Sequence, residues 1–339
     1  MDIHRNIPLK NYLTMRLGGN ARFMTVAHTT EDIATICSKA HSQGLKIFIL
    51  GGGSNSLASD AGFDGIVIRN AIKGVSILAE DASSMTIEFG AGEIWDKAVQ
   101  FTVEHSLSGI EALSAIPGTV GAAPVQNIGA YGQELADTFV SLNAYDTEAN
   151  QYITLTNEQC QFAYRHSIFR GSASGRYVIT SVTLKLYKAA PSPPFYKALQ
   201  DYFDNHNTTI FTPTIVREAV TAIRSDKLPD PTDQPNTGSF FKNAIIEQWQ
   251  RDELLKKYPD MPSYDLGNKT FKIPTGWLIE QTGLKGSLLH GIRVHKKNAL
   301  VLINETATSY EDLAAARSTI IGAVRDTFRI TIEQEPLEI

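Results

Sequence analysis

Apolar residues recur at Ile33, Ile36, Cys37 and Ala40, the spacing of one helical face, between Thr29-Thr30-Glu31-Asp32 and Gly44. That pattern predicts a capped helix with Cys37 in the core. The run 46–50 has the length and apolar continuity of a buried strand. Strands are predicted over 65–69, 75–78 and 85–89, and a helix over 95–105. The stretches 139–146 and 152–155 read as a hairpin, and 177–186 as a further strand. Pro191-Ser192-Pro193-Pro194 breaks the pattern. Thr212 before Pro213 starts a helix ending near Lys227, because proline suits the first helical position. The stretch 228–238 holds three prolines and a glycine and is predicted irregular. A strand over 299–304, a Ser309-capped helix through about Phe328 and a terminal strand over 330–339 complete the chain. Strands and helices do not alternate regularly, which favours an α+β fold over a doubly wound parallel sheet.

At 339 residues the chain has room for two or three domains. A formal charge of -5 with no basic block argues against nucleic acid as a partner. Cys37 and Cys160 make neither a disulfide framework nor a metal-ligand set, so no metal is expected. Cys160 has no basic flank and reads as inert. The first residues carry no apolar leader and no run approaches a membrane span, so the expected location is the cytoplasm, off the membrane. A monomer is the expected state, one the residues themselves leave open.

Two loops carry the candidate chemistry. Gly51-Gly52-Gly53-Ser54-Asn55 follows a predicted strand but lacks the spacing of a Rossmann fingerprint and the lysine of a P-loop. Ile116 to Gly132 is rich in glycine and alanine and almost devoid of acids, bases and nucleophiles. Such loops approach a large phosphate-bearing cofactor with main-chain N–H groups, and the cofactor then does the chemistry. The competing reading of each is a tight packing turn.

The order of several motifs resembles the UDP-N-acetylenolpyruvoylglucosamine reductase family. They are 11–19, Leu50-Gly51-Gly52-Gly53-Ser54-Asn55, the 116–132 loop, Tyr164-Arg165, Lys227-Leu228-Pro229, Gly238-Ser239-Phe240-Phe241-Lys242-Asn243, Gly276-Trp277-Leu278-Ile279 and 300–304. The resemblance runs from about residue 11 to 336. It implies non-covalent FAD in a two-part region of the vanillyl-alcohol-oxidase (PCMH) type, with a C-terminal α+β substrate domain. The implied division is 1–70 and 71–210 for FAD, 211–330 for substrate, and 331–339 as a strand carrying a catalytic glutamate. The implied reaction is NADPH-dependent reduction of UDP-N-acetylglucosamine enolpyruvate to UDP-N-acetylmuramate, a step of peptidoglycan precursor synthesis. The segment 189–203 suggests the type I form with a tyrosine-bearing loop.

The reduction leaves charge on the carbon next to the substrate carboxylate and needs a proton there. The resemblance gives Arg165 the enolate charge, and a guanidinium suits a carboxylate. It gives Ser239 the proton delivery. The terminal run Ile332-Glu333-Gln334-Glu335-Pro336 departs from the family pattern. Counting favours Glu335 as the third catalytic group, but strand alternation puts Glu333 on the same face and leaves the choice open. The resemblance implies cofactor contacts at Gly51, Gly52, Gly53, Ser54, Asn55, Ser114, Pro117, Gly118, Gly121 and Asn127. It implies substrate contacts at Lys227, Asn243, Asn298 and Tyr196, with Tyr202 a rival for the loop tyrosine. His166 is expected to point away. Two other readings are a flavin oxidase of an alcohol or hydroxy acid, and a non-catalytic sugar-nucleotide binder.

Overall fold

Thr29 caps the first helix as its sequence requires. Its hydroxyl accepts from Asp32 N at 3.1 Å, and the Asp32 carboxylate accepts from Thr29 N at 3.1 Å. The helix, Thr30–Ser42, buries Ile33, Ile36, Cys37 and Ala40 against Ala27, Ile66 and Ile68. A computed structural model describes residues 2–339, and the chain divides into two compact units. The first comprises 2–7, 21–53 and 63–226; the second comprises 8–20, 54–62 and 227–339.

In the first unit, Phe63–Asn70 pairs in parallel with Asn20–Ala27 on one side and Lys46–Leu50 on the other. An antiparallel five-stranded sheet follows, in the order Gln151–Thr156, Phe139–Asp146, Tyr177–Tyr187, Ser84–Gly90, Val75–Glu80. Alternation along its strands sends Ile87, Phe89, Leu142, Val182 and Leu184 to one face. There they pack with Trp95 and Val99 of the Trp95–Glu104 helix. The opposite face is polar: Asn143 and Ser181 both donate to Glu88, at 2.9 Å each. The predicted hairpin, the 177–186 strand and the 95–105 helix all form, with ends differing by one or two residues.

In the second unit, Tyr310–Phe328 buries Leu313, Ala316, Ile320, Val324 and Phe328. That stripe packs on two small antiparallel sheets, in a core shared with Leu278, Ile292 and Leu302. Ser309 and Asp312 cap the helix reciprocally.

Two expectations fail here. The stretch 228–238 is not wholly irregular, because Asn236–Ser239 is a strand on Val301–Asn304. It begins directly after Pro235, where donors become available again. The terminal strand over 330–339 is not continuous: strand structure is confined to Leu337–Glu338, on Ser56–Leu57, plus a bridge from Gln334 to Phe241. Pro336 lies between these two pairings and offers no N–H.

Candidate functional site

The Lys46–Leu50 strand delivers Gly51–Gly53 against the Gly/Ala loop within the first unit. A methyl group on Gly52 would lie 2.9 Å from the Gly118 Cα, and one on Gly51 would lie 2.6 Å from the Thr119 hydroxyl. The loop is pinned by its own main chain. Gly118 O accepts from Trp95 N at 3.1 Å, while Val120 N and Gly121 N donate to Glu93 O and Ala91 O at 2.8 Å each. A methyl on Gly121 would meet Ala91 Cβ at 2.6 Å. Val120 and Ala123 face the core, whereas Ala122 and Pro117 are exposed beside Gly118.

The entrance to this loop is held from two helices. Arg217 donates to both carboxylate oxygens of Asp96, at 2.7 and 2.8 Å, and to Ser114 Oγ at 3.0 Å. Asp96 also accepts from Ala115 N at 2.6 Å, where the backbone is left-handed at φ 58°. Burial pushes the Asp96 carboxyl up, but the bonds from Arg217 and Ala115 outweigh it and hold the group below its ordinary value. Ser114 is fully buried and its hydroxyl donates to Glu111 O at 2.6 Å. Asn127 is also buried, and its amide donates to Glu134 at 2.7 Å and Ala163 O at 3.3 Å. Both N–H groups of that side chain therefore shape the loop itself. Ser54 and Asn55 belong to the second unit, where Asn55 O accepts from Leu337 N at 3.0 Å.

Arg165 sits in a tight turn closed by reciprocal main-chain bonds between Ala163 and His166, at 3.0 and 3.1 Å. Its own φ is 51°, a conformation unusual for a long side chain. The guanidinium donates to Gly129 O at 2.7 Å and lies over the Tyr164 ring. The turn thus directs Arg165 to the end of the Gly/Ala loop. His166 packs its ring on Gly171.

In the second unit, Gly238 has φ 70° and open space around it. Ser239 follows, backed by Phe240 and Phe241, which are fully buried with rings 5.1 Å apart. Phe240 O accepts from Glu335 N at 2.8 Å, so Ser239 and Glu335 stand on neighbouring segments. Glu333, one pairing further along, has its side chain 75% exposed and meets Lys242 at 3.4 Å. Glu335 is partly buried. Asn243 and Asn298 converge on one end of the Thr275–Gln281 helix. Asn243 Oδ1 accepts from Thr275 N at 3.2 Å, and Asn298 Oδ1 would lie 3.9 Å from a methyl on Gly276. Lys227 ends the Pro213–Lys227 helix and is exposed.

The segment 189–203 is not all loop, because Lys197–Asn205 is a helix. Tyr202 lies within it and stacks on His206, with centroids 4.0 Å apart. Tyr196 precedes the helix, is exposed, and meets the Tyr131 ring edge-on at 6.1 Å. Both cysteines are buried, and burial pushes each thiol up to about 12. Among the described residues, no group of three His, Cys, Asp or Glu side chains could hold a metal ion.

Sequence reasoning passed over Asp96, Arg217, Arg224 and Tyr131. One signal was present: Arg217 and Arg224 are seven residues apart on one helix. The first unit fits a dinucleotide such as FAD. It offers packed glycine turns, small exposed side chains and, in Arg224, a sealed guanidinium nitrogen that makes no hydrogen bond.

A family model described as "FAD binding domain" matches residues 21–154. One described as "UDP-N-acetylenolpyruvoylglucosamine reductase, C-terminal domain" matches 230–339. A UDP-N-acetylenolpyruvoylglucosamine reductase of Flavobacterium johnsoniae is 40% identical over 339 residues, covering 99% of each chain. The chain belongs to the UDP-N-acetylenolpyruvoylglucosamine reductase family. A Shewanella baltica protein of that name is 38% identical over 97% of this chain and 94% of its own. The crystal structure of a UDP-N-acetylenolpyruvylglucosamine reductase from Thermus caldophilus superposes with a TM-score of 0.69 at 22% identity, covering 100% and 99% of the two chains. The expected α+β fold with an FAD-binding region is therefore the reductase family's fold. No helix among the described residues is long and apolar enough to cross a membrane.

Proposed function

We infer that this chain is an FAD-containing oxidoreductase that uses NADPH to reduce UDP-N-acetylglucosamine enolpyruvate to UDP-N-acetylmuramate, in peptidoglycan precursor synthesis. The observation that carries this reading is kinship at 40% identity along 99% of the chain. Bound FAD supplies the hydride relay between NADPH and the vinyl carbon of the enolpyruvyl ether. The remaining work falls to the chain's own side chains.

The glycine turn 51–55 and the loop at Ser114, Pro117, Gly118, Gly121 and Asn127 hold the cofactor, their small residues letting it approach the main chain closely. Arg165 grips the substrate carboxylate and stabilises the charge that develops beside it. Ser239 delivers the proton to the adjoining carbon, with Phe240 and Phe241 excluding water behind it. Glu335 is the favoured third group, since Glu333 is exposed and engaged with Lys242. Lys227, Asn243 and Asn298 hold the sugar nucleotide. Tyr196, rather than the stacked Tyr202, covers it as the type I loop tyrosine. Cofactor holding is assigned to 1–70 and 71–210, substrate holding to 211–330, and the carboxylate to 331–339. The Pro213–Lys227 helix lies in the substrate stretch but packs in the first unit up to Asp226. The protein works as a cytoplasmic monomer on small molecules, without nucleic acid or membrane.

The test is an anaerobic colour cycle. NADPH should bleach the yellow protein, and the enolpyruvyl sugar nucleotide should restore the colour without oxygen. Bleaching without restoration removes the substrate; a colourless protein that takes up no FAD removes the reading altogether.

A further inference from the structure

The segment that carries Glu335 has little secondary structure of its own. Gln334 forms a bridge to Phe241, flanked by Lys242 N donating to Glu333 O at 2.9 Å and Glu335 N donating to Phe240 O at 2.8 Å. Pro336 follows with no N–H, and pairing resumes where Leu337 N donates to Asn55 O at 3.0 Å. A bridge before a proline is a short ladder, and side chains supply the rest.

Those side chains converge on Arg317, two turns into the Tyr310–Phe328 helix, all within the second unit. The Arg317 guanidinium donates to Gln334 Oε1 and to Glu338 Oε1, one residue from each side of Pro336. It also reaches the Tyr310 hydroxyl at 3.3 Å and lies over the Tyr310 ring. Tyr310 donates in turn to Glu338. The Gln334 amide closes the cluster by donating to Glu338 at 3.1 Å and to Pro336 O at 3.2 Å.

The cluster balances its own charge, with one guanidinium and one carboxylate. Burial, together with the bond to Glu338, pushes the Tyr310 hydroxyl up to about 12, so it remains a neutral donor. Burial pushes the Glu338 carboxyl up, but the bonds from Tyr310, Arg317 and Gln334 outweigh it and hold the group below its ordinary value. The helix is itself tied down at its start, where Asp60 accepts from Tyr310 N at 2.8 Å and Glu311 N at 3.1 Å. Asp60 lies just past Ser56–Leu57, the strand on which Leu337–Glu338 pairs. Helix start, strand and tail thus form one closed frame around Pro336.

We propose that Arg317 is a positioning residue for Glu335. The inference rests on the reading that Glu335 acts in the reduction. Successive side chains of an extended segment point to opposite faces. Gln334, drawn to the helix by Arg317, therefore sends Glu335 to the other face. Glu338, held by the same guanidinium, stops the chain beyond Pro336 from swinging that face round. Arg317 touches neither substrate nor cofactor; it narrows the directions open to the carboxylate, and a carboxylate held in one direction reacts faster than one that must find it.

The experiment follows both half-reactions of the holoenzyme by stopped-flow absorbance, with urea midpoints beside them. In Arg317→Met, NADPH should bleach the flavin at the parent rate. Reoxidation by the enolpyruvyl sugar nucleotide should slow about tenfold, with its KM within about twofold. Arg317→Lys should recover part of the rate, since an ammonium still donates but lacks the planar fork. Glu335→Gln should be slower than Arg317→Met. Adding Arg317→Met to Glu335→Gln should change that rate by less than about twofold, because a residue that acts through Glu335 has nothing left to position. A lower urea midpoint with kcat at the parent value would make Arg317 merely structural and overturn the proposal. So would a further tenfold loss in the double variant, or slower bleaching by NADPH. If Arg317→Met does not fold, Gln334→Ala and Glu338→Gln cut the same cluster from the other side, and unchanged reoxidation in both overturns it. Glu335→Gln at the parent rate sinks the catalytic assignment together with the inference; a slow Glu335→Gln beside a normal Arg317→Met sinks the inference alone.

Discussion

Gly52 and Gly238 sit at the two candidate halves of the chemistry for opposite physical reasons. At Gly52 the limit is space, because a methyl there would press on the Gly118 Cα at 2.9 Å. Neither backbone can yield without moving the other, and the paired turns have a main-chain surface. At Gly238 there is room for a methyl, and the limit is the backbone at φ 70°. That conformation turns the chain so that Ser239 is presented in front of two sealed phenylalanines. Glycine in the first unit therefore permits close packing of two turns, and in the second it permits a left-handed turn just before Ser239. Damage to the first should read out in cofactor binding and damage to the second in turnover.

The largest break in this contrast is Ser239→Ala. It should bleach normally with NADPH, yet turn over substrate ~10²–10⁴-fold more slowly if the hydroxyl is the proton donor. Stopped-flow absorbance separates the two half-reactions, and normal turnover would eliminate the serine. Next is Glu335, on the neighbouring segment. Glu335→Gln should lower kcat ~10²-fold. Glu333→Gln should leave it within about twofold, because an exposed ion pair such as that with Lys242 contributes ~0–1 kcal/mol. Reversed results would move the role to Glu333. The glycines give a smaller and more diagnostic pair. Gly52→Ala should cost ~1–3 kcal/mol of overpacking, about 5- to 150-fold in FAD affinity. Gly238→Ala should retain FAD and lose ~10- to 100-fold in kcat through misplacement of Ser239. Loss of flavin from Gly238→Ala would erase the distinction.

The same contrast explains what the sequence made legible. Helix Thr30–Ser42 could be read because its cap, apolar stripe and closing glycine agree. The Gly/Ala loop could be read because it is almost devoid of acids, bases and nucleophiles. Arg165 and Ser239 could not be chosen from residue type alone, since a Tyr-Arg pair and a Gly-Ser pair are common on surfaces. Only motif order across the chain singled them out. The terminal segment misled because Pro336 divides what alternation presents as one strand. The Lys197–Asn205 helix was hidden behind a proline-rich approach. Arg217 and Arg224 were missed because their meaning depends on Asp96, more than a hundred residues earlier. Whether a cation has a counter-ion is a property of the folded chain.

The smallest expected effect is also the one with a pH signature. Asp96 and Arg217 hold the entrance of the Gly/Ala loop, the proposed cofactor site, at Ser114 and Ala115. Asp96→Asn should therefore lower FAD affinity only ~3- to 10-fold, by loosening the bond to Ala115 and exchanging an ionic clasp for a neutral one. The folded carboxyl lies below its ordinary value, so the unfolded chain takes up a proton first as acid is added. The clasp's contribution is then complete above the unfolded value of about 3.9 and is lost as pH falls through the lower folded value. Urea midpoints of parent and variant should differ by a constant amount from pH 7 down to about 5 and converge below about 4. Arg217→Lys should fall between them, since an ammonium cannot make the paired bonds to Asp96. A gap that widens in acid would mean that Asp96 is protonated in the folded protein, and that the bond to Ala115 holds the loop without Arg217.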